Sequence, residues 1–348
     1  MKTELLNLTK AELTNAILEI GEKKFRAEQL WQWIYIHNEF DFSKMSSFSV
    51  ALQQKLNEHF SIFRPKVIEH LKSVDGTNKW LLEFNDGQRI ETVFIPEEDR
   101  GAVCVSTQVG CAVGCKFCHT GTQKLSRNLT SAEIISQFLL VRDYHKKELV
   151  SNIVVMGMGE PMHNFENTIK ALQILNDNTG CALSKRKITL SSSGIANKIP
   201  EIAKKISVKL AISLHASNDE IRSKIMPINN KFNIDAVLKS CQEYQKITGY
   251  RQPITFEYLM LDGINDSFED AKRLNHLMKT YKINAKFNLI CFNSWDGCGF
   301  VGSSKNKVHA FSKRLQEYGF EAPIRASRGD DIMGACGQLK GIKNNLTL

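Results

Sequence analysis

Three cysteines lie close together in the segment Gly110–Gly121, whose sequence is GCAVGCKFCHTG. Cys111, Cys115 and Cys118 form a C-x3-C-x2-C pattern, which puts three soft thiolates in one short loop. Thiolates at such close spacing hold iron–sulfur clusters, whereas a closed structural zinc site needs a fourth nearby Cys or His. Three protein ligands leave one iron of a 4Fe–4S cluster open to a small molecule.

Two other interpretations of this loop stay open at the level of sequence. A zinc knuckle would take His119 as its fourth ligand, although Cys118 and His119 are adjacent and are awkwardly placed to bind the same ion. Alternatively, the three thiols lie near each other by coincidence. The spacing favours the cluster over both.

The aromatic residue Phe117 completes the pattern C-x3-C-x-aromatic-C, which resembles the signature of the radical-SAM superfamily. In that superfamily the open iron chelates S-adenosylmethionine (SAM) through its amine and carboxylate. One electron from the cluster then breaks the sulfonium and gives a 5'-deoxyadenosyl radical. The resemblance therefore implies two cofactors, one 4Fe–4S cluster bound by the three cysteines and SAM.

The composition is that of a globular chain with a large core. Of 348 residues, 42% are hydrophobic, which allows one large domain and a small one. No apolar run reaches the roughly 18 residues that would cross a bilayer, and the N-terminus is unlike a secretory signal. Nine cysteines, three of them expected to bind a cluster, fit a reducing compartment. We therefore expect a soluble, cytoplasmic protein without a membrane partner.

Basic residues outnumber acidic ones by 46 to 37, a net charge of +9. Such a surplus favours a polyanionic partner, although it is weak support when taken alone.

Residues 1–61 are expected to form a small helical domain. The run Ala27–Ile36 has the apolar content of a largely buried helix, and Ser46 or Ser47 is the predicted N-cap of a second helix that ends near Phe60.

Residues 62–98 change to a period of two and predict a β-hairpin extension. Two turn signals, Asp75-Gly76 and Asn85-Asp86-Gly87, separate its strands. The predicted strands are Val67–Val74, Lys79–Phe84 and Arg89–Ile95.

Residues 99–348 alternate between short β-branched runs and helical patterns, which predicts a parallel sheet covered by helices. Six β/α units give an α/β fold with a partial (β/α)6 barrel of the radical-SAM type. The predicted strands are Val103–Thr107, Ile153–Met156, Lys187–Leu190, Val208–Ser213, Ile254–Tyr258 and Asn284–Leu289. The predicted helices are Ser131–His145, Glu166–Asn176, Lys198–Lys204, Ile234–Thr248, Ser267–Tyr281 and Lys307–Tyr318.

Polar clusters follow several of these strands, where barrels of this kind collect their chemistry. GMGEP at residues 157–161 follows the second strand, and SSSG at residues 191–194 follows the third. Ser213-Leu214-His215 ends the fourth, and Asn293 lies beyond the sixth. Their shared position after successive strands favours a functional interpretation.

Two further motifs make the resemblance more specific. Cys104 precedes the first cluster cysteine in CVSTQVGC, and RGDDI is followed by ACGQL, which contains Cys336. With GMGEP and SLH, these motifs resemble the RlmN type of radical-SAM RNA methyltransferase, which modifies carbon 2 of adenine. The similarity runs from about Glu91 to Gly341.

The resemblance implies a mechanism that consumes two SAM molecules per turnover. The first methylates Cys336, and the radical from the second removes hydrogen from that S-methyl group. The resulting methylene radical adds to carbon 2 and tethers the RNA to the protein. Cys104 then attacks the Cys336 sulfur, which forms a transient disulfide and releases the methylated base. Either Glu91 or Cys104 removes the proton from carbon 2, and the sequence does not choose between them.

The same resemblance implies a SAM site. Gly159 and Glu160 would meet the amino group of SAM. The ribose and carboxylate would be surrounded by Ser191, Ser213, Leu214, His215 and Asn293. Two features depart from the family pattern: His119 after the last cluster cysteine, and the loop beginning Asn293-Ser294-Trp295 in place of a proline-containing one.

The substrates implied are 23S rRNA, at an adenosine near the peptidyl-transferase centre, and, in many family members, an adenosine in the tRNA anticodon loop. An electron donor such as flavodoxin is also implied, and we expect a monomer. The candidate phosphate contacts are Lys116, Lys124, Arg127, Arg325 and Arg328.

Two rival functions follow from the same residues. One is methylation of carbon 8 of the same adenine, as in related antibiotic-resistance enzymes, although Pro161 favours carbon 2. The other is a non-catalytic RNA-binding protein whose cluster is structural, for which a methylated Cys336 would serve no purpose.

Overall fold

The computed structural model describes residues 2–146, 149–250 and 252–341. The N-terminal part contains three α-helices. In chain order they are α1 (Lys10–Glu19), α2 (Lys24–Tyr35) and α3 (Val50–His59). Strand β1 (Thr3–Glu4) pairs in parallel with β2 (Phe60–Ser61) and joins the two ends of this part.

The start of α3 corrects one prediction. Its N-cap is Ser49, whose side-chain oxygen accepts a hydrogen bond from the Leu52 N–H. Ser46 and Ser47 are therefore not the cap. The chain still turns at Phe48, whose N–H donates to the Met45 carbonyl, so the helix begins only after this turn.

The N-terminal helices pack directly on the rest of the protein. Trp31 and Tyr35 are buried in one core that extends from these helices into the larger sheet. Arg142 Nη1 donates to the Tyr35 carbonyl at 2.9 Å across this junction. Trp31 and Tyr35 of α2 therefore serve as core.

Twelve further strands lie in the described residues. In chain order they are β3 (Lys66–Lys72), β4 (Asn78–Glu83), β5 (Arg89–Pro96), β6 (Gly101–Cys104), β7 (Gln108–Val109), β8 (Arg127–Asn128), β9 (Val150–Val155), β10 (Ile188–Ser192), β11 (Lys209–Ser213), β12 (Ile254–Met260), β13 (Ala285–Cys291) and β14 (Ile324–Arg325). All but β7 and β8 form one sheet in the order β14-β13-β12-β11-β10-β9-β6-β5-β4-β3.

The sheet is parallel from β6 to β14 and antiparallel from β3 to β6. It does not close within the described residues, so the predicted α/β fold with a partial barrel is confirmed. The predicted β extension continues the barrel sheet, because β5 pairs with β6. Strand β14 was not predicted, since two residues are too few to show a period.

Helices cover this sheet. They are α4 (Ser131–Tyr144), α5 (Phe165–Asn176), α6 (Ile199–Lys205), α7 (Asp219–Ile225), α8 (Ile234–Thr248), α9 (Phe268–Thr280) and α10 (Lys305–Glu317). The six predicted helices of this region agree with the structure to within two residues at each end. Among the α-helices of the described residues in this region, only the short helix α7 was missed.

The first barrel strand ends earlier than predicted. The expected strand Val103–Thr107 is instead β6, which stops at Cys104. Beyond it, the Ser106 N–H donates to the side chain of Gln137 at 2.8 Å, and the Thr107 N–H donates to the Met158 carbonyl. Beyond Cys104, a side chain and a loop carbonyl thus accept the hydrogen bonds that a neighbouring strand would otherwise accept, and the chain turns towards Cys111.

The division into residues 1–61, 62–98 and 99–348 stays a prediction, and its outermost residues, Met1 and 342–348, lie outside the described part of the chain. No helix in that part is long and apolar enough to span a bilayer.

Candidate active site

The carboxyl ends of the parallel strands surround two adjoining cavities. The larger, about 970 Å³, is lined by the three cysteines of the Gly110–Gly121 segment and by residues that follow β9, β10 and β11. The smaller, about 670 Å³, is lined by Cys104 and by residues that follow β13 and β14. Cys118, Arg325 and Cys336 line both. The fold thus brings the predicted cluster, SAM and cysteine segments together.

The Gly110–Gly121 segment, here called the cluster loop, is held in a bent path. Gly110 has a φ of +78°, and a Cβ there would lie 2.2 Å from the Lys124 carbonyl oxygen, so a side chain is excluded. The Lys116 N–H donates to the Ile225 carbonyl at the end of α7 at 2.9 Å. Packing against α7 therefore helps to set where the cysteines stand.

The cysteines of the cluster loop form an all-thiol donor set, the ligand type that iron–sulfur clusters use. All three thiols are free and line the larger cavity. In the described residues, no group of three or more His, Cys, Asp or Glu side chains is arranged to hold one metal ion. A zinc ion draws its ligands into one small tetrahedron, whereas cluster cysteines bind different irons and stand farther apart.

Burial raises the pKa of all three thiols in the protein alone, that of Cys111 to about 12. Deprotonation of these thiols at neutral pH would therefore need a nearby positive charge, such as that of a bound metal.

His119 does not line the larger cavity that the three cysteines of the cluster loop share. Its Nδ1 lies 3.2 Å from the Gln338 carbonyl oxygen, which fixes Nδ1 as the protonated nitrogen. Its ring stacks on Trp295. The zinc knuckle is therefore disfavoured.

Glu160 is set in place by backbone groups. Its carboxylate accepts hydrogen bonds from the N–H groups of Met162 at 3.0 Å and Ser193 at 2.7 Å. Its own N–H donates to the Gln108 side chain. Gly159 before it has a φ of +97°, and a Cβ there would lie 2.5 Å from Gln108 Cβ. The two residues predicted to meet the SAM amino group therefore lie in a pre-formed turn beside the larger cavity.

His215 adopts a left-handed conformation, with φ of 56°, and lines the larger cavity. Its Nδ1 accepts a hydrogen bond from the Leu259 N–H at 3.0 Å, so the proton is on Nε2. Burial, reinforced by Arg222, lowers the pKa of His215 to about 3. The ring is therefore neutral and offers an Nε2–H donor at physiological pH.

The remaining residues predicted to bind SAM do not all line the larger cavity. Ser191 and Ser213 line the larger cavity, but Leu214 is fully buried and does not. Asn293 lines only the smaller cavity. Its Nδ2 donates to the Cys336 carbonyl at 3.3 Å, and its Oδ1 accepts from Ser327 Oγ at 2.6 Å. In this structure Asn293 therefore contacts the Cys336 segment.

Sequence reasoning missed Arg222, on the short helix α7. It is fully buried, and it donates five hydrogen bonds between 2.7 and 3.1 Å. The acceptors are the carbonyls of Ser193, Ser213, Leu214 and Phe232 and the side chain of Asn229. Burial lowers its pKa to about 10, so the side chain stays charged. Arg222 thus ties the ends of β10 and β11 together, and no local pattern signals it.

Residues 333–341, here called the Cys336 loop, are held from several sides. The Ala335 N–H donates to the Gln338 side chain, which itself donates to Asp330 at 2.7 Å. Thr120 Oγ1 donates to the Leu339 carbonyl at 2.6 Å. The loop that carries the predicted methylated cysteine is therefore ordered against the cluster loop.

Glu91 anchors the far end of the Cys336 loop. Its Oε1 lies 2.9 Å from Lys79 Nζ, and both side chains are at most 3% exposed. Its Oε2 accepts from the N–H groups of Lys340 at 2.6 Å and Gly341 at 3.1 Å. Glu91 lines neither cavity. The geometry favours an anchoring role over that of a base.

Cys104 does reach the site. Its thiol lines the smaller cavity with Cys336, and its residue is 7% exposed. Burial, reinforced by Cys336, raises its pKa to about 12, while Arg325 opposes this shift. The interaction with Cys336 raises the pKa of Arg325. The guanidinium is therefore the nearby charge that can stabilise a thiolate on either sulfur.

The predicted phosphate contacts divide into three kinds. Lys116, Lys124 and Arg328 are exposed and make no ion pair with any described residue. Arg127 is paired with Asp86 and Glu133, so its donors are used within the protein. Arg325 lines both cavities and is half-buried.

Comparison with known families agrees with this site. The profile of the Radical SAM superfamily matches residues 105–274, and that of the ribosomal RNA large subunit methyltransferase N-terminal domain matches residues 3–62. Fold and site therefore define a radical-SAM protein. A crystal structure of a radical SAM methyltransferase from Sphaerobacter thermophilus is similar with a TM-score of 0.93 and 38% identity, covering 98% of this chain and 100% of that one.

The relatives that carry the name dual-specificity RNA methyltransferase RlmN include the following two. That of Paramagnetospirillum magneticum is 50% identical, with 97% of this chain and 76% of the relative covered. That of Rhodospirillum rubrum is 48% identical, with 97% and 80% covered. The chain belongs to the RlmN family of radical-SAM RNA methyltransferases, which confirms the resemblance that the motifs indicated.

Proposed function

We propose that this protein methylates carbon 2 of an adenosine in 23S rRNA and of an adenosine in the tRNA anticodon loop. The observation that carries this proposal is the shared cavity of Cys104 and Cys336 beside the three cluster cysteines. The term dual-specificity in the names of the relatives supports two RNA substrates. The basic surplus fits such partners, and the target base must leave its stack to reach the cavity.

The residues of the larger cavity fit the cofactors of the family. Cys111, Cys115 and Cys118 would hold one 4Fe–4S cluster, with SAM between Glu160 and His215. When bound, the cluster supplies the electron that converts SAM to a 5'-deoxyadenosyl radical. The Glu160 carboxylate would pair with the SAM ammonium, and the His215 Nε2–H would offer SAM a neutral donor. Two SAM molecules are consumed per turnover, and a donor such as flavodoxin supplies the electrons.

Cys336 accepts the first methyl group and later carries the carbon that joins the base. The adduct radical must also lose one electron, which the cluster would take back, as Cys104 removes the proton from carbon 2. A closed-shell thioether then joins the base to Cys336, and Cys104 attacks the Cys336 sulfur as a thiolate once it has released that proton to water. The sulfur–sulfur bond forms as the carbon–sulfur bond breaks, and its electron pair passes to the departing methylene, which takes up a proton. Arg325 stabilises the thiolate that this exchange requires.

The test is to incubate anaerobically reconstituted protein with SAM, reductant and each RNA, then digest the RNA and locate the methyl group by mass spectrometry. We expect 2-methyladenosine in both RNAs, and none from the Cys336→Ala variant, which keeps all three cluster cysteines. 8-Methyladenosine alone would assign the chain to the rival activity. Unmodified RNA together with an unmethylated Cys336 would favour a non-catalytic RNA-binding protein.

A further inference from the structure

His119 and Trp295, to which the sequence assigned no role, meet face to face in the structure. Their ring centroids are 4.6 Å apart, and their planes differ by 3°. His119 directly follows the last cluster cysteine, whereas Trp295 lies in the loop after β13. Both rings are half-buried, and neither lines either cavity. The stack therefore lies outside the proposed binding sites and joins two segments that are remote in sequence.

The hydrogen bonds of the two residues extend this contact to the Cys336 loop. Trp295 Nε1–H donates to the Phe117 carbonyl of the cluster loop at 3.1 Å. The backbone N–H of His119 donates to the Gly337 carbonyl at 2.7 Å, and its Nδ1–H reaches the Gln338 carbonyl at 3.2 Å. One ring thus holds the cluster loop, and the other holds the residues immediately after Cys336.

The loop that carries Trp295 contacts the same residues from its own side. Gln338 Nε2 donates to the Ser294 carbonyl at 3.0 Å, and Asn293 Nδ2 donates to the Cys336 carbonyl at 3.3 Å. Cys336 therefore lies in a segment clasped by the cluster loop and by the loop after β13. The stack is the side-chain contact that closes this clasp.

We propose that the His119–Trp295 stack is a positioning device that fixes the Cys336 sulfur relative to the cluster loop. The inference rests on the proposed function, in which the group on Cys336 must meet a radical formed beside the cluster. Reaction between two groups requires reacting atoms about 3–3.5 Å apart, and a displacement of roughly 1 Å costs about 100-fold in rate. A clasp outside the cavities can thus set the yield of transfer without touching SAM or RNA.

Loosening the clasp has a specific consequence. SAM binds in the larger cavity, away from the stack, so its cleavage should continue. The radical then meets a misplaced Cys336 and is quenched without transfer. The ratio of 5'-deoxyadenosine formed to methyl groups transferred should therefore rise, a change that simple destabilisation of the fold does not produce.

The test compares Trp295→Ala with the matched control Trp33→Ala in the reconstituted holoenzyme. Trp33 is also a half-buried indole with one hydrogen bond, from Nε1 to Ser47 Oγ at 2.8 Å, but it lies in the N-terminal helices. We expect the 5'-deoxyadenosine-to-methyl ratio to rise about 10-fold or more in Trp295→Ala and to stay unchanged in Trp33→Ala. Trp295→Phe, which keeps a ring but loses the indole N–H, should fall between.

The His119→Ala and double variants test whether the two rings act as one unit. We expect the double variant to match Trp295→Ala, since either change breaks the same stack. Additive effects would overturn the pairing. An unchanged ratio in folded Trp295→Ala, or a loss of RNA affinity with an unchanged ratio, would overturn the positioning role.

A second readout is independent of RNA methylation. In the fraction of protein whose Cys336 is unmethylated, alkylation of this thiol by iodoacetamide, followed by peptide mass spectrometry, should be several-fold faster in Trp295→Ala than in Trp33→Ala. Equal alkylation rates would refute the clasp even if the parent protein methylated no RNA. Should Trp295→Ala fail to fold, Trp295→Phe and His119→Ala supply both readouts.

Discussion

Replacing Glu91 by Gln distinguishes an anchor of the Cys336 loop from a catalytic base. The substitution removes the charge that Lys79 Nζ meets at 2.9 Å, in a pair that is at most 3% exposed. Among the described residues, the Lys79 ammonium would keep its contact with the Met333 carbonyl at 3.1 Å. In addition, one amide oxygen must replace two carboxylate oxygens that serve Lys79 on one side and the Lys340 and Gly341 N–H groups on the other.

The expected cost follows from this burial. Removing one partner of a buried ion pair leaves an uncompensated charge, which destabilises a protein by about 3–5 kcal/mol. Chemical denaturation of Glu91→Gln should show a loss of this size in the free energy of unfolding. Lys79→Met should lose a similar amount. The double variant should lose less than the sum, because neither charge is then left unpaired. Glu220→Gln, which removes an exposed ion pair with Lys224, is the matched control and should not change measurably.

The anchoring role and the base role of Glu91 also predict different reaction defects in Glu91→Gln. If Glu91 anchors the loop, the fraction of Cys336 isolated as S-methylcysteine should fall in Glu91→Gln, because the thiol is no longer held in place. If Glu91 is the base, Cys336 should stay fully methylated and a covalent protein–RNA adduct should accumulate. A variant of normal stability that accumulates the adduct would refute the anchoring interpretation.

Three further predictions follow from other residues. Arg222→Lys loses at least two of five hydrogen bonds, at about 1–3 kcal/mol each, so we expect a lower melting temperature and a raised KM for SAM with a smaller change in kcat. Unchanged SAM affinity would contradict this. Because the pKa of Cys104 is about 12, adduct release should accelerate from neutral to alkaline pH in quenched time courses, and Cys104→Ala should trap the adduct at every pH. Burial acts to raise the pKa of Asp75, but hydrogen bonds from the N–H groups of Thr77 and Gly329 outweigh it and lower the pKa to about 2. Its contribution to stability is therefore present above the unfolded pKa of about 3.9 and is lost as pH falls towards 2. In Asp75→Asn, the free energy of unfolding, measured by chemical denaturation, should depend less on pH in that window than it does in the parent protein.

The sequence alone determined features that depend on neighbours in the chain. The spacing of Cys111, Cys115 and Cys118 indicated the cluster because three ligands in one loop need no knowledge of the fold. The alternation of strands and helices predicted the partial barrel, since hydrophobic period is a local property. The polar residues after successive strands were expected at one end of the sheet because parallel strands share that end.

Tertiary structure decided the contacts of several other residues, namely Glu91, Arg222, His119 and Trp295. Glu91 meets Lys340 across 249 positions of sequence, and this contact gives the carboxylate an anchoring environment that its own strand does not reveal. Arg222 lies on a helix that is too short for a helical pattern to be recognised in the sequence. The five acceptors of its hydrogen bonds come from separate segments of the chain. In the sequence, His119 and Trp295 are two separate departures from the family pattern. Only the tertiary structure shows that their rings stack. Residue type and spacing specify which chemistry is available to this protein. Burial and long-range contacts decide which atoms can take part in it, because burial and long-range contacts depend on how distant segments of the chain pack together.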